Sequence, residues 1–187
     1  SNSINEDWFA GQSNNVDRKS LVYKITLNSD VSHLSPMLDL QRVSATLISN
    51  RINNPLVVSN TPEEDLETSA QGGAGLAKYI TREIKLANPA TSINMRVAIS
   101  KPVDTDVDFY YKIKTSEGDL YREMPYVEFT KPQGFSNPTP DGSFIDYEFD
   151  VQNLEEFVSL GVKIVLKSNN TAVVPKVTDL RIIALAK

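Results

Sequence analysis

Short runs in which apolar and polar residues alternate restrict the fold of this chain more than any other feature of its sequence. The clearest run is 107–114, where every second residue is apolar and the intervening residues are mostly charged. Such alternation is typical of a β-strand, because successive side chains of a strand point to opposite faces of a sheet. We therefore predict a strand at 107–114 with one dry face and one wet face.

The same pattern predicts most of the remaining architecture. Further strands are predicted at 21–27, 43–49, 79–86, 94–100, 144–151, 162–167 and 177–185. A helix of one or two turns is predicted at 154–160, where Gly161 would end it. Short strands joined by turns, without crossover helices, predict an all-β fold. We expect an antiparallel two-sheet β-sandwich, jelly-roll-like, with an N-terminal arm and at most one short helix.

Composition divides the chain into an arm, a strand pair, a linker and a main domain. Residues 1–20 are polar and are expected to form a flexible N-terminal arm, followed by an N-terminal strand pair at 21–52. Residues 53–75 are rich in Asn, Pro, Glu and Gly, which predicts a linker or a long loop. The main β-sandwich domain is expected at 76–187.

Charge and composition argue against several classes of function. The formal net charge is -5 and the 19 Lys and Arg residues are scattered, so we expect no binding of nucleic acid. The absence of cysteine excludes disulfides, thiol nucleophiles and thiolate metal sites. No apolar run approaches the roughly 18 residues that span a bilayer, so we expect no membrane association.

One acidic series imitates the start of a calcium-binding loop. Asp104, Asp106 and Asp108 have the spacing of the first ligands of an EF-hand. An EF-hand also needs glycine at its sixth position and glutamate at its twelfth, where this chain has Phe109 and Thr115. The series therefore predicts a turn and a strand face, and we expect no metal site.

A second acidic series lies on one face of a predicted strand. Asp146, Glu148 and Asp150 alternate along it, which places neighbouring carboxylates about 7 Å apart. That spacing would suit glycoside hydrolysis if the face lined a cleft, but carboxylates on the wet face of a sheet are the ordinary outcome. His33, the single histidine, is expected at the surface. We therefore expect no catalytic residues, no cofactor and no enzymatic activity.

Several aromatic and basic residues are candidates for an interface. Four aromatic residues of the main domain are expected to be exposed, where they would stack on sugars or fill a protein interface. An apolar pair on the arm and three arginines complete the set. The candidates are Trp8, Phe9, Arg42, Arg51, Arg82, Tyr110, Tyr121, Tyr126 and Phe135.

Three stretches resemble virion structural proteins of T-even-like contractile-tailed bacteriophages. The first is Leu34-Ser35-Pro36-Met37-Leu38-Asp39-Leu40 followed by VSATLISNRIN at 43–53. The second is AKYITREIKL at 77–86, continuing through Lys101-Pro102 and Tyr110-Tyr111-Lys112-Ile113. The third comprises 162–166 and 175–181, which look like closing strands of baseplate and tail-associated chains.

The resemblance implies a domain of a larger phage polypeptide, located in the virion tail or baseplate and made in the host cytoplasm. It implies a non-catalytic assembly role through contacts with other virion proteins, and it carries over no catalytic residue. A homo-oligomer is a further expected kind of association. The alternative is a carbohydrate-binding or host-adhesion β-sandwich, in which the partner would be a glycan.

Overall fold

The computed structural model describes residues 24–42, 52, 66–170 and 172–186, and this part of the chain is almost entirely β. Two 3₁₀ turns, Leu40–Arg42 and Tyr121–Glu123, are its helical elements. The strands are β1 Lys78–Ile80, β2 Ile84–Ala90, β3 Ser92–Ser100, β4 Thr105–Lys114, β5 Val127–Glu128, β6 Ile145–Val151, β7 Phe157–Ser168 and β8 Lys176–Leu185. No helix in these ranges is long and apolar enough to cross a membrane.

The strands form two antiparallel sheets packed face to face, which confirms the predicted two-sheet sandwich. In the five-stranded sheet A, β7 pairs with β4 along one side and with both β1 and β2 along the other. Strand β5 pairs with the side of β4 that faces away from β7. In the three-stranded sheet B, β3 lies between β6 and β8. The chain passes from sheet A to sheet B between β2 and β3.

The core lies between the inner faces of the two sheets. The apolar residues of the alternating runs supply it, including Val107 and Phe109 of β4 and Met95 of β3, all of which are buried. Phe149 of β6 packs against Phe109 across the interface, with ring centroids 4.8 Å apart. The predicted strands at 94–100, 107–114, 144–151, 162–167 and 177–185 are thereby confirmed, with small shifts at their ends.

The strand predicted at 79–86 is interrupted at 81–83, which separates β1 from β2. The backbone N–H of Thr81 donates to the Val162 carbonyl at 2.9 Å, and the Val162 N–H donates to Thr81 Oγ1 at 2.9 Å. The threonine hydroxyl therefore replaces one backbone partner at the break. This satisfies the Val162 donor that the missing strand would otherwise leave unpaired.

Two local predictions are wrong. Residues 154–160 are not helical, because 157–160 begin the long strand β7 and Gly161 lies within that strand. Residues 24–27, the described part of the strand predicted at 21–27, have no regular structure and pair with none of β1–β8. The strand predicted at 43–49 lies outside the described residues.

Candidate functional site

The face of sheet A that points away from the core is buried, although the sequence predicts it to be wet. We call it the covered face; its residues on β4 and β7 include Asp108, Tyr110, Lys112, Lys114 and Lys163, and all five are buried. Residues 66–77, the covering loop, lie over it, since Lys112 and Lys163 donate to carbonyls of this loop. The rings of Tyr121 and Tyr126 also lie against Lys112. Charged side chains are seldom buried unless they are paired, so their partners decide what this face can do.

Lys163, at the centre of β7, is 0% exposed and binds the covering loop. Its ammonium group lies 2.9 Å from the carboxylate Oε2 of Glu67 and also donates to the Glu67 and Gly72 carbonyls. The rings of Tyr110 and Tyr126 lie 4.6 and 4.3 Å from the same nitrogen, as cation–π partners. Burial lowers the pKa of Lys163, and the Glu67 carboxylate opposes that shift.

Two further lysines bind the covering loop through its carbonyl groups. Lys112 donates to the Ala70 carbonyl at 3.0 Å, and burial lowers the pKa of this lysine, with repulsion from Lys163 acting in the same direction. Lys78 donates to the carbonyls of Gly72 and Gly73. A side chain at Gly73 would collide with Glu67, because an added Cβ would lie 2.6 Å from its Cδ. The three lysines therefore depend on one loop conformation.

A second charged group on the covered face is centred on buried Asp108. Lys131 lies 2.6 Å from Asp108 Oδ1 and 2.8 Å from Asp106 Oδ2, and Lys167 pairs with Asp108 Oδ2. Lys101 approaches Asp106 at 3.3 Å. Asp106 and Asp108, two members of the acidic series that imitates a calcium-binding loop, are therefore paired with lysines. In the described part of the chain, no group of three or more His, Asp or Glu side chains is arranged to hold a metal ion.

Tyr121 lies directly over Gly161 of β7. A Cβ added at Gly161 would lie 2.0 Å from the Tyr121 hydroxyl and 3.2 Å from Thr81 Oγ1. Only a residue without a side chain allows the tyrosine to lie over the strand in this way. The glycine that the sequence suggested as a helix end is instead a packing site.

The opposite outer face, on sheet B, is charged and exposed to solvent. A groove of about 390 Å³ crosses it, which we call the open groove; it is lined by Arg96, Val97, Asp146, Tyr147, Glu148, Asp179 and Arg181. Arg96 of β3 lies 3.2 Å from Glu148 of β6, and these side chains are 63% and 51% exposed. Water reaches this pair freely.

A β-bulge shapes one side of the open groove. Arg96 pairs with Arg181 and Ala98 with Thr178, so β8 has one more residue than β3 between these two pairs. The extra residue leaves Asp179 with φ 52°, a left-handed conformation that aspartate tolerates better than most residues. The bulge thereby brings a third carboxylate to the groove beside Asp146 and Glu148.

The groove does not give Glu148 the environment of a glycosidase acid. Asn94 donates to Glu148 Oε1 at 2.7 Å, and this hydrogen bond together with Arg96 lowers the pKa of Glu148. A general acid in glycoside hydrolysis needs a raised pKa. Asp150, the third member of the predicted acidic series, is not among the groove-lining residues and accepts a hydrogen bond from Gln152.

A third notable surface lies on residues 24–41, which we call the apolar segment. Every residue of this segment is exposed. It nevertheless carries large apolar side chains along its whole length. These are Ile25, Leu27, Val31, Leu34, Met37, Leu38 and Leu40, with Met37 95% and Leu40 74% exposed. His33 is exposed in a turn of the same segment, as expected.

The structure corrects the predicted exposure of the aromatic candidates. Tyr110 and Tyr126 are buried on the covered face, where they surround Lys163, and Phe135 is buried in the core. Their burial removes them from any surface that would stack on a sugar. Tyr121 is half-buried over Gly161.

Arg82 is the basic candidate whose side chain lies in the described part of the chain. Arg82 is exposed between β1 and β2, and the backbone of Arg42 ends a 3₁₀ turn. Trp8, Phe9, Arg51 and the side chain of Arg42 lie outside the described residues. Sequence reasoning missed the buried lysines, although a lysine inside the apolar run 162–166 was a signal that something covers β7.

Comparison with known proteins adds no family to these observations. No protein-family model matches the chain, and no curated protein matches its sequence.

Proposed function

We propose that this chain is a non-catalytic assembly module that binds other protein chains through its apolar segment. One observation carries the proposal: residues 24–41 are all exposed and display seven large apolar side chains. Contiguous exposed apolar surface is characteristic of interaction sites, because it is costly to leave in water.

Energy estimates support a binding role for this segment. Full burial of one Leu or Met side chain contributes about 1.5 to 3 kcal/mol. Leu34, Met37 and Leu40 are 62%, 95% and 74% exposed, so burying them against a partner would contribute several kcal/mol on that scale. Part of this gain is offset by ordering the segment on binding.

The class of assembly that we propose is a phage virion, in its baseplate or tail. The support is the resemblance described above, one stretch of which, 34–40, lies within the apolar segment. The residues that resemble virion proteins are thus among those most available to a partner. The charges of the covered face agree with a structural role, because Lys163, Lys112 and Asp108 each have a partner within the chain.

The test is to mix the chain with purified tail and baseplate proteins and to measure complexes by size-exclusion chromatography with light scattering. We expect a stable complex with at least one of them. The triple variant Leu34→Ser, Met37→Ser, Leu40→Ser should lose that complex and keep its melting temperature, because these residues contribute little to the core.

A matched control replaces three exposed apolar residues elsewhere, in the variant Val103→Ser, Leu120→Ser, Phe144→Ser. It should bind as the wild type does. The proposal fails if the wild-type chain remains monomeric with every virion protein, or if the triple variant of the apolar segment binds as tightly as the control.

A further inference from the structure

Sheet B has an open edge at β6. This strand pairs with β3 on one side, and no strand in the described ranges pairs with its other side. Its inner-face residues Ile145, Tyr147 and Val151 are only partly covered, whereas Phe149 is buried. An unpaired edge exposes backbone donors and acceptors that another strand can satisfy.

The apolar segment begins with a sequence suited to such an edge. Residues 24–27 alternate as Lys24, Ile25, Thr26 and Leu27, and the sequence continues this alternation back to Leu21. In the structure, 24–27 pair with no strand of the described ranges, and Ile25 and Leu27 are 48% and 52% exposed. A strand pattern without a strand partner suggests that the partner is supplied by another chain.

In one antiparallel register, residues 24–27 would match β6 on both the inner and the outer face of sheet B. With Ile25 opposite Tyr147, Leu27 falls opposite Ile145, and these four apolar side chains share the inner face. The pairing would extend the apolar layer of sheet B and cover the partly exposed residues of β6. A shift by one residue would place Ile25 and Leu27 among carboxylates.

Charge favours β6 over β8 as the acceptor. In the same register Lys24 falls opposite Glu148 and between Asp146 and Asp150, the exposed carboxylates of the outer face. The other edge strand, β8, has one carboxylate on that face, Asp179, and it lies near the positive charge of Arg181. An ammonium group is therefore better matched to β6.

We propose that residues 24–27 of a second copy of this chain add to the open edge of β6 as an antiparallel strand, with Lys24 beside Glu148. This interface deepens the proposed function and rests on it, because it names a copy of the chain as one partner. It brings together two surfaces that have no strand partner within the described part of one molecule.

The chain contains no cysteine, so introduced cysteines report this contact directly. Lys24→Cys and Glu148→Cys are prepared in separate chains, mixed, and oxidised. The matched control pairs Lys24→Cys with Glu117→Cys, whose native side chain is 83% exposed on sheet A's side of the molecule. We expect the mixed disulfide between positions 24 and 148 to form several-fold faster than the control disulfide.

A second variant tests the contact without new cysteines. Ile25→Pro removes a backbone donor and should abolish the dimer measured by light scattering. It should leave the melting temperature unchanged, because 24–27 are not in a strand of their own chain.

Two results would overturn the inference. One is a cross-link no faster than the control. The other is an intrachain disulfide in a dilute solution of the double variant Lys24→Cys, Glu148→Cys, which would make the chain's own segment the occupant. In either case binding to other virion proteins could persist, so failure here is distinguishable from failure of the proposed function.

Discussion

The two outer faces of the sandwich carry similar charged residues and meet opposite environments. On sheet A, Lys163 is buried beneath the covering loop and paired with Glu67, and Asp108 is buried and paired with Lys131. On sheet B, Arg96 and Glu148 form a comparable pair in open water. The difference shows that alternation along a strand predicts which residues leave the core, but not whether they reach solvent.

The energetic consequence of the same pair differs between these faces. Water screens an exposed ion pair, and its net contribution is usually below about 1 kcal/mol. Removing one member of a buried pair leaves its partner without compensation, at a cost of about 3 to 5 kcal/mol. Truncation of one charged partner should therefore destabilise the fold strongly on the covered face and weakly on sheet B, whose outer face remains available for binding.

The largest expected effect follows from Lys163→Ala. This change leaves the largely buried Glu67 carboxylate without its ammonium partner, so the free energy of unfolding should fall by about 3 kcal/mol or more. Urea denaturation followed by circular dichroism measures it. The matched control is Lys85→Ala, at an exposed lysine of β2 on the same sheet. Equal losses for the two variants would contradict the importance of burial.

A smaller loss is expected from Gly161→Ala. The added methyl group would lie 2.0 Å from the Tyr121 hydroxyl and must displace it, which should cost about 1 to 3 kcal/mol in unfolding free energy. Combining it with Tyr121→Phe should recover part of that loss, because the hydroxyl is removed. Thermal melts of the two single variants and the double variant measure this coupling, and strict additivity would argue against the contact.

The third prediction concerns alkaline pH. Burial, followed by repulsion from Asp108, Glu128 and Glu67, raises the pKa of Tyr110 well above its ordinary value of 10.0. The stabilisation from this neutral phenol is complete below the unfolded-state pKa and is lost as the pH rises above it, since the unfolded chain then releases the proton first.

Tyr110→Phe should therefore make the loss of stability above about pH 10 shallower, by up to about 1.4 kcal/mol per pH unit. Urea denaturation of both proteins across the alkaline range measures the two slopes. The lowered pKa values of Lys163 and Lys112 act in the opposite direction as the pH approaches 10.5, but both lysines are present in each protein. Parallel curves would contradict the prediction.

The smallest effect is expected from Arg96→Ala on sheet B. Its ion pair with Glu148 is exposed, so the free energy of unfolding should change far less than it does for Lys163→Ala. The difference from wild type should shrink further at high salt, because salt screens exposed charges. Urea denaturation at low and high ionic strength tests both points, and a loss as large as that of Lys163→Ala would remove the distinction between the faces.

Much of the fold could be predicted from the chain alone, and little of the candidate site. The alternation at 107–114 correctly identified Val107 and Phe109 as core residues, because strand geometry forces a period of two. The same pattern misplaced Tyr110 and Lys112 in solvent, since a local pattern contains no information about a distant loop. The helix predicted at 154–160 failed because pairing with β2 and β4 outweighed local preference.

The amino-acid sequence by itself determined the two-sheet class, the inner faces of β3, β4 and β6, and the dispersal of charge that argues against nucleic-acid binding. Tertiary structure alone decided that Glu67 meets Lys163 across 96 residues of chain, that Tyr121 covers Gly161, and that the apolar segment stays exposed. The reason is physical. Side-chain alternation is a property of one strand, whereas the burial of a sheet face, the pairing of charges and the access of solvent depend on which separate segments of the chain meet.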